Sequence, residues 1–122
     1  MTATVEREAL ATAIAAGLTG VKVHALPPGS VAGPSIVIAP GGWKPRNYAQ
    51  VEYQVELSIL HNAPDTTHAI GVLEEMAAVA YLSALGAGWS VGDVSGPEPV
   101  EYAGQPFIAM TFKASHLVTL GS

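Results

Sequence analysis

The chain has no cysteine. That excludes disulfides, thiolate metal sites and thiol nucleophiles together. Charge is scarce as well. Asp, Glu, Lys and Arg make up 12% of the 122 residues, about half of the ~25% usual in soluble domains. Cations are the scarcer sign: five Lys and Arg stand against ten Asp and Glu, for a formal net charge of −5. Only Lys44 and Arg46 lie near each other in sequence, so the basic footprint that grips phosphates is missing. Such a chain, meeting nucleic acid, would let it pass rather than hold it. No run approaches the roughly 18 apolar residues of a membrane span. The stretch Met1-Thr2-Ala3-Thr4-Val5-Glu6-Arg7-Glu8 carries two acids before any apolar run, which a signal peptide does not. These absences predict a soluble protein with no membrane partner. The length predicts one domain over 1–122, able to bury a core without disulfides or metals.

What replaces the missing charge is small: Ala, Gly, Ser, Thr and Pro. Two readings follow. The surface is covered by neighbouring subunits, or the chain is an alanine-rich product of a GC-rich genome.

The strongest local signal runs from Tyr48 to Leu85. In Val51-Glu52-Tyr53-Gln54-Val55-Glu56-Leu57-Ser58-Ile59 every odd position is apolar and every even one polar. Strict alternation predicts a strand with one face buried and the other presented. The strand is placed at about 48–60, with His61-Asn62-Ala63-Pro64 as a turn. A helix follows over 65–85, capped by Asp65 or Thr66. Its buried side is read as Ile70, Leu73, Met76, Ala77, Ala80 and Leu85, and its outer side as Glu74, Glu75 and Ser83.

The rest of the chain is laid out around this unit. A helix is predicted over 4–17, capped by Thr4, with Glu6 and Glu8 near the positive end of its dipole. Leu10, Ile14 and Leu18 supply its stripe. Short strands are predicted at 21–25 and 35–39, the latter ended by Pro40-Gly41-Gly42. Trp43 to Asn47 is read as a polar, aromatic loop. A fourth strand begins at Trp89, is interrupted at Gly96-Pro97-Glu98-Pro99 by a bulge or an edge, and resumes at Val100. Ala103-Gly104-Gln105 turns into a last strand over 107–118. The order α-β-β-β-α-β-β implies an α+β fold, an antiparallel or mixed sheet with both helices on one face.

Catalytic motifs are absent. His24, His61, His68 and His116 form no H-x-x-x-H or H-x-H pair. His61 and His68 could meet across a turn, but two histidines do not make a site. Glu74 and Glu75 are adjacent, so on a helix they point apart and cannot face each other. No G-x-S-x-G elbow, G-x-G-x-x-G loop or P-loop occurs. No enzyme activity, cofactor or metal is predicted. Two surface groups remain. Gln50, Glu52, Gln54 and Glu56 line the presented face of the long strand, either as an ordinary wet face or as an acidic wall toward a pore or neighbour. Trp43, Lys44, Arg46 and Tyr48 form a candidate interface loop, since aromatics with arginine are the composition of binding hot spots. Lys44 and Arg46 could instead pair with the two glutamates.

The order of features, more than any fixed motif, resembles the tail-terminator (minor tail, tail-completion) proteins of long-tailed bacteriophages. The features are an N-terminal helix closing in Gly17-Leu18-Thr19-Gly20-Val21-Lys22-Val23, then Leu26-Pro27-Pro28-Gly29-Ser30-Val31 and Pro34-Ser35-Ile36-Val37-Ile38. A long alternating strand, one long helix and a hairpin joined by Tyr102-Ala103-Gly104-Gln105-Pro106-Phe107 complete them. The resemblance implies a homo-oligomeric ring, usually a hexamer, that caps the tail tube, halts its polymerisation and joins it to head-tail connector proteins. DNA would pass through its lumen without specific binding. The protein would sit in the virion, at the head-proximal end of the tail, after assembly in the host cytoplasm. A head-tail stopper or adaptor of the same virion is an alternative, and a small ligand-binding α+β dimer is a second.

Overall fold

A computed structural model describes residues 3–31, 33–62 and 66–119. The elements are α1 (Ala3–Ala16), β1 (Lys22–His24), β2 (Ser35–Asn47), β3 (Gln50–His61), α2 (Thr66–Gly86), β4 (Ser90–Val91), β5 (Ser95–Tyr102) and β6 (Gln105–Thr119). They form one six-stranded sheet in the order β1-β2-β3-β6, with β4 and β5 both pairing the free edge of β6. β1 runs parallel to β2 and the other pairs are antiparallel. The fold is therefore α+β with a mixed sheet. The expected fourth strand is divided into β4 and β5, which pair at different heights along β6, and the register slips between Ser95 and Glu98.

The odd positions of β3 explain the main core. Val51, Tyr53, Val55, Leu57 and Ile59 point toward the helices and are buried. On β2 and β6, Ile36, Ile38, Phe112, Ala114 and Val118 share that core. α1 contributes Leu10 and Ile14, and α2 contributes Leu73, Met76, Ala77, Ala80 and Ala84. Truncating Leu73, fully buried, should cost about 2–5 kcal/mol.

A second, smaller core lies on the far face of the sheet. Val31, Val37, Leu60, Phe107 and Ala109 form it, with Tyr102 beside them. The Tyr102 hydroxyl donates to the Pro28 carbonyl at 2.6 Å, tying the proline-rich segment down across it. The alternation of β3 announces this core where it changes, since Leu60 occupies an even position. One end of the far face is thus covered, and the other end is bare.

Four sequence expectations need correction. The strand at 35–39 does not end at Pro40-Gly41-Gly42. β2 continues to Asn47, so Trp43, Lys44 and Arg46 lie on a strand, and of the expected loop only Tyr48 is in the turn. Two bulges make this possible. The register passes from Pro40 against Val55 to Trp43 against Tyr53, leaving Gly41 and Gly42 opposite Gln54 alone. A Cβ at Gly41 would stand 3.1 Å from the Gln54 carbonyl, and Gly42 has φ +84°, so this bulge suits glycine. β1 pairs only Ser35 to Val37, so β2 beyond it is an edge strand, where proline is tolerated.

Leu85 is not on the buried side of α2: it is 44% exposed, and Ala84 takes the core position. Thr4 does not cap α1 but lies within it, accepting a hydrogen bond from Arg7 Nη2 at 3.2 Å. α2 is long and apolar enough to cross a membrane by length and composition, contrary to the expectation that no segment would be. Here it covers the sheet with its alanine-rich side. The expected cap at Asp65 and the turn residues Ala63 and Pro64 lie outside the described residues.

β5 depends on one glycine. Gly96 has φ +102°, and a Cβ there would sit 2.6 Å from the Ala109 carbonyl oxygen. Gly104, in the hairpin turn, has φ +80° but open space around it. Gly96→Ala should therefore lose at least about 2 kcal/mol and Gly104→Ala only about 1. Urea denaturation of the two variants checks the ranking, and equal losses would contradict the packing described for β5.

Candidate functional surface

The even positions of β3 point away from the helices, and those from Gln50 to Glu56 lie outside the second core that covers Leu60. Gln50, Glu52, Gln54 and Glu56 therefore share one face, as their spacing predicts. On β6 they stand opposite Thr119, Leu117, Ser115 and Lys113 in turn. On β2, Asn47 pairs with Gln50 and Lys44 with Glu52. The result is a polar surface three strands wide.

Hydrogen bonds organise its outer end. Arg46 donates to Glu52 Oε1 from Nε at 3.1 Å and from Nη2 at 2.6 Å. Gln54 Nε2 donates to Glu52 Oε2 at 3.0 Å, and Lys44 Nζ stands 3.9 Å from the same oxygen. Asn47 Nδ2 donates to Gln50 Oε1 at 3.0 Å, while its Oδ1 accepts from the Ala49 amide at 2.8 Å and shapes the turn. The Arg46 guanidinium, helped by Gln54, holds the Glu52 carboxyl below its ordinary range.

These pairings change the character of the face. Lys44 and Arg46 pair with Glu52 within one chain, and Lys113 stands opposite Glu56. Three cations meet two carboxylates, so the wall is polar but not acidic. Glu56, exposed, is the carboxylate left without a short ion pair.

Between the glycine bulge and β4 the face is concave. Pro40, Gly41, Gln54, Glu56, Lys113 and Ser115 help line an open groove of about 770 Å³. A smaller hollow of about 230 Å³ adjoins it at Glu56 and Lys113, reaching Asp93 and Ser95. Beyond the groove, β2 runs on to Asn47 as the exposed edge of the sheet, and this edge segment with the turn at Tyr48 forms an arm along β3. Every β2 residue from Pro40 to Asn47 is exposed. Trp43 is 61% exposed and Tyr48 is fully so.

Among the described residues no three His, Asp or Glu side chains gather closely enough to hold an ion. His61 and His68 do meet, edge to face with ring centroids 6.4 Å apart. Burial, with His68 beside it, pushes the His61 pKa below its ordinary 6.5. A cluster that the sequence reading missed lies at the other end of the core. Glu6 is buried, with Oε2 3.9 Å from His116 Nδ1, and the His116 ring packs edge to face on Trp89. Glu6 Oε1 and His116 Nδ1 have no hydrogen-bond partner among the described residues. A signal existed, because Glu6 precedes Leu10 and Ile14 at four-residue intervals on the buried stripe. Its neighbour Arg7 is also buried and donates from Nε to the Ala25 carbonyl at 3.2 Å, which anchors α1 to the chain after β1.

This is an α+β domain with one sheet face covered by helices, and half of the other face offered to solvent. No protein-family model matches the chain, and no curated protein matches its sequence.

Two titrations test these environments. Glu52 has a lowered folded-state pKa, so its stabilising effect is present above pH 4.5 and fades as pH falls through that folded value. The stability gap between the wild type and Glu52→Gln should therefore close under acid, as read by urea melts across pH. His61 is also shifted down, so the unfolded state binds its proton first. Stability should fall as pH drops below 6.5, and His61 should titrate in NMR spectra below that value. A His61 resonance titrating above 6.5 would contradict its burial.

Proposed function

We propose that this chain is a structural, non-enzymatic protein of a long-tailed bacteriophage virion. It acts as a tail terminator: a ring of identical subunits that caps the tail tube, stops its growth and receives the head connector. One observation carries the reading. The polar half-face of β3 and β6 runs into the exposed β2 edge that carries Trp43, Lys44 and Arg46 and turns at Tyr48, a surface suited to neighbours. The order of sequence features supports the same class.

In such a ring the polar face has two stations, the seam between subunits or the lumen. Glu52 is neutralised by Arg46 and Lys44, and Glu56 stands opposite Lys113. A lumen lined by this face is polar with its charges matched, which gives passing phosphates little to grip. The net charge of −5 is compatible with this.

The test uses purified tail tubes. The protein should cosediment with them and stop further addition of tube subunits. Binding to portals but not to tubes would assign it to the stopper or adaptor class instead. The groove of about 770 Å³ is the one feature that favours a small-ligand dimer. A two-subunit mass in solution, with a metabolite retained, would establish that reading and remove ours. For the lumen station, particles carrying Glu56→Lys should assemble normally but release DNA more slowly. Release at the wild-type rate would move this face to the seam.

A further inference from the structure

Among the described residues the exposed large apolar side chains fall mainly in two places. Trp43 and Tyr48 stand on the arm, while Leu117, opposite Glu52, lies on the other face of the sheet from Trp43, which stands opposite Tyr53. Leu82, Leu85 and Val94, exposed by 66%, 44% and 36%, gather on the outer side of α2 and just before β5. Val5 and Leu26 are the other two. Tyr81, Leu82, Ala78, Val94 and Met110, with Glu74 at the rim, line an open apolar groove of about 480 Å³.

The arm and this groove belong to opposite edges of the sheet, because β2 flanks β3 on one side and β6 carries β5 on the other. They also differ in height. Tyr81 packs edge to face on Phe112, which pairs with Leu57. Leu57 is seven residues from Gln50 at the base of the arm turn, roughly 23 Å along a strand. The arm cannot reach the groove of its own copy.

Charge separates the two surfaces further. From residue 66 to 104 the chain holds Glu74, Glu75, Asp93, Glu98 and Glu101, all exposed, and no Lys or Arg. The arm tip carries Lys44 and Arg46 against the single carboxylate of Glu52.

We infer that the arm of one copy seats in the α2 groove of the next copy. Trp43 and Tyr48 cover Leu82 and Val94, and Arg46, from the other side of the strand, meets Glu74 at the rim of the groove. The inference rests on the ring reading and deepens it by naming the two halves of the contact. The contact is heterologous: each copy offers the arm at one edge and the groove at the other, which generates a ring when the rotation closes. Side chains carry it, not strand pairing. Pro40 and Pro45 interrupt the free edge of β2, and Pro97 and Pro99 interrupt that of β5, so neither offers a continuous ladder.

The absence of cysteine makes the test clean. Trp43→Cys and Leu82→Cys are made in separate chains, mixed, and treated with a short bifunctional maleimide at high protein concentration and on tail tubes. The expected product joins one chain of each kind, and neither variant links efficiently to itself. Trp43→Cys chains linked only to one another would mean an arm-to-arm, two-fold contact and would overturn the inference. A closed ring without the mixed product would overturn it while leaving the ring reading in place. Monomers under both conditions would remove both. The mixed product in a protein that ignores tail tubes would keep the contact and remove the terminator reading. As a second measurement, Arg46→Glu should weaken self-association about tenfold, and Glu74→Arg in the same chain should restore much of it. No weakening in the single variant would contradict the charge pairing.

Discussion

Everything in this molecule follows from the alternation along β3. Odd positions from Val51 to Ile59 require a dry cover, and α1 and α2 supply it. Even positions from Gln50 to Ser58 refuse one. The sheet is thereby left with two unlike faces, and the second is dry only where Leu60 joins Val37, Phe107 and Ala109. A domain built this way presents half of one sheet face by construction.

The edges of the sheet are handled as carefully as its faces. An exposed strand edge invites uncontrolled pairing. Here β2 carries Pro40, a Gly41-Gly42 bulge and Pro45, while β5 carries Pro97 and Pro99. These residues let β2 extend as an arm without becoming a template for aggregation. The Arg46–Glu52 pair ties the polar side of the arm to β3, although an ion pair this exposed adds little to global stability. Trp43 stands on the other side of the strand, across from Tyr53.

The parts of the fold set by periodicity are legible in sequence. α2 spans Thr66–Gly86 where the pattern predicts 65–85, and the alternation at 51–59 marks the two faces of β3. The features that local pattern does not reveal depend on long-range context. Pro40-Gly41-Gly42 reads locally as a stop, and only the opposing strand reveals it as a bulge within a longer β2. Glu6 reads as a dipole-stabilising acid at a helix start, yet its spacing with Leu10 and Ile14 puts it in the core. Gln50, Glu52, Gln54 and Glu56 share one face, as their alternation predicts, and of the two readings of Lys44 and Arg46 the structure shows the pairing with Glu52. The register that brings them together passes through bulges in β2 that no local pattern fixes. Leu85 reads as one of the residues along the buried side of α2, but Ala84, four residues after Ala80, takes the core position and Leu85 faces outward.

The measurement that bears most directly on this account is electron cryomicroscopy of the chain assembled on the ends of tail tubes. The account predicts a closed ring in which each copy meets the next through opposite sheet edges, with the helix-free face of β3 and β6 turned to the seam or the lumen. A two-fold dimer, or a ring in which that face looks outward to bulk solvent, would contradict it.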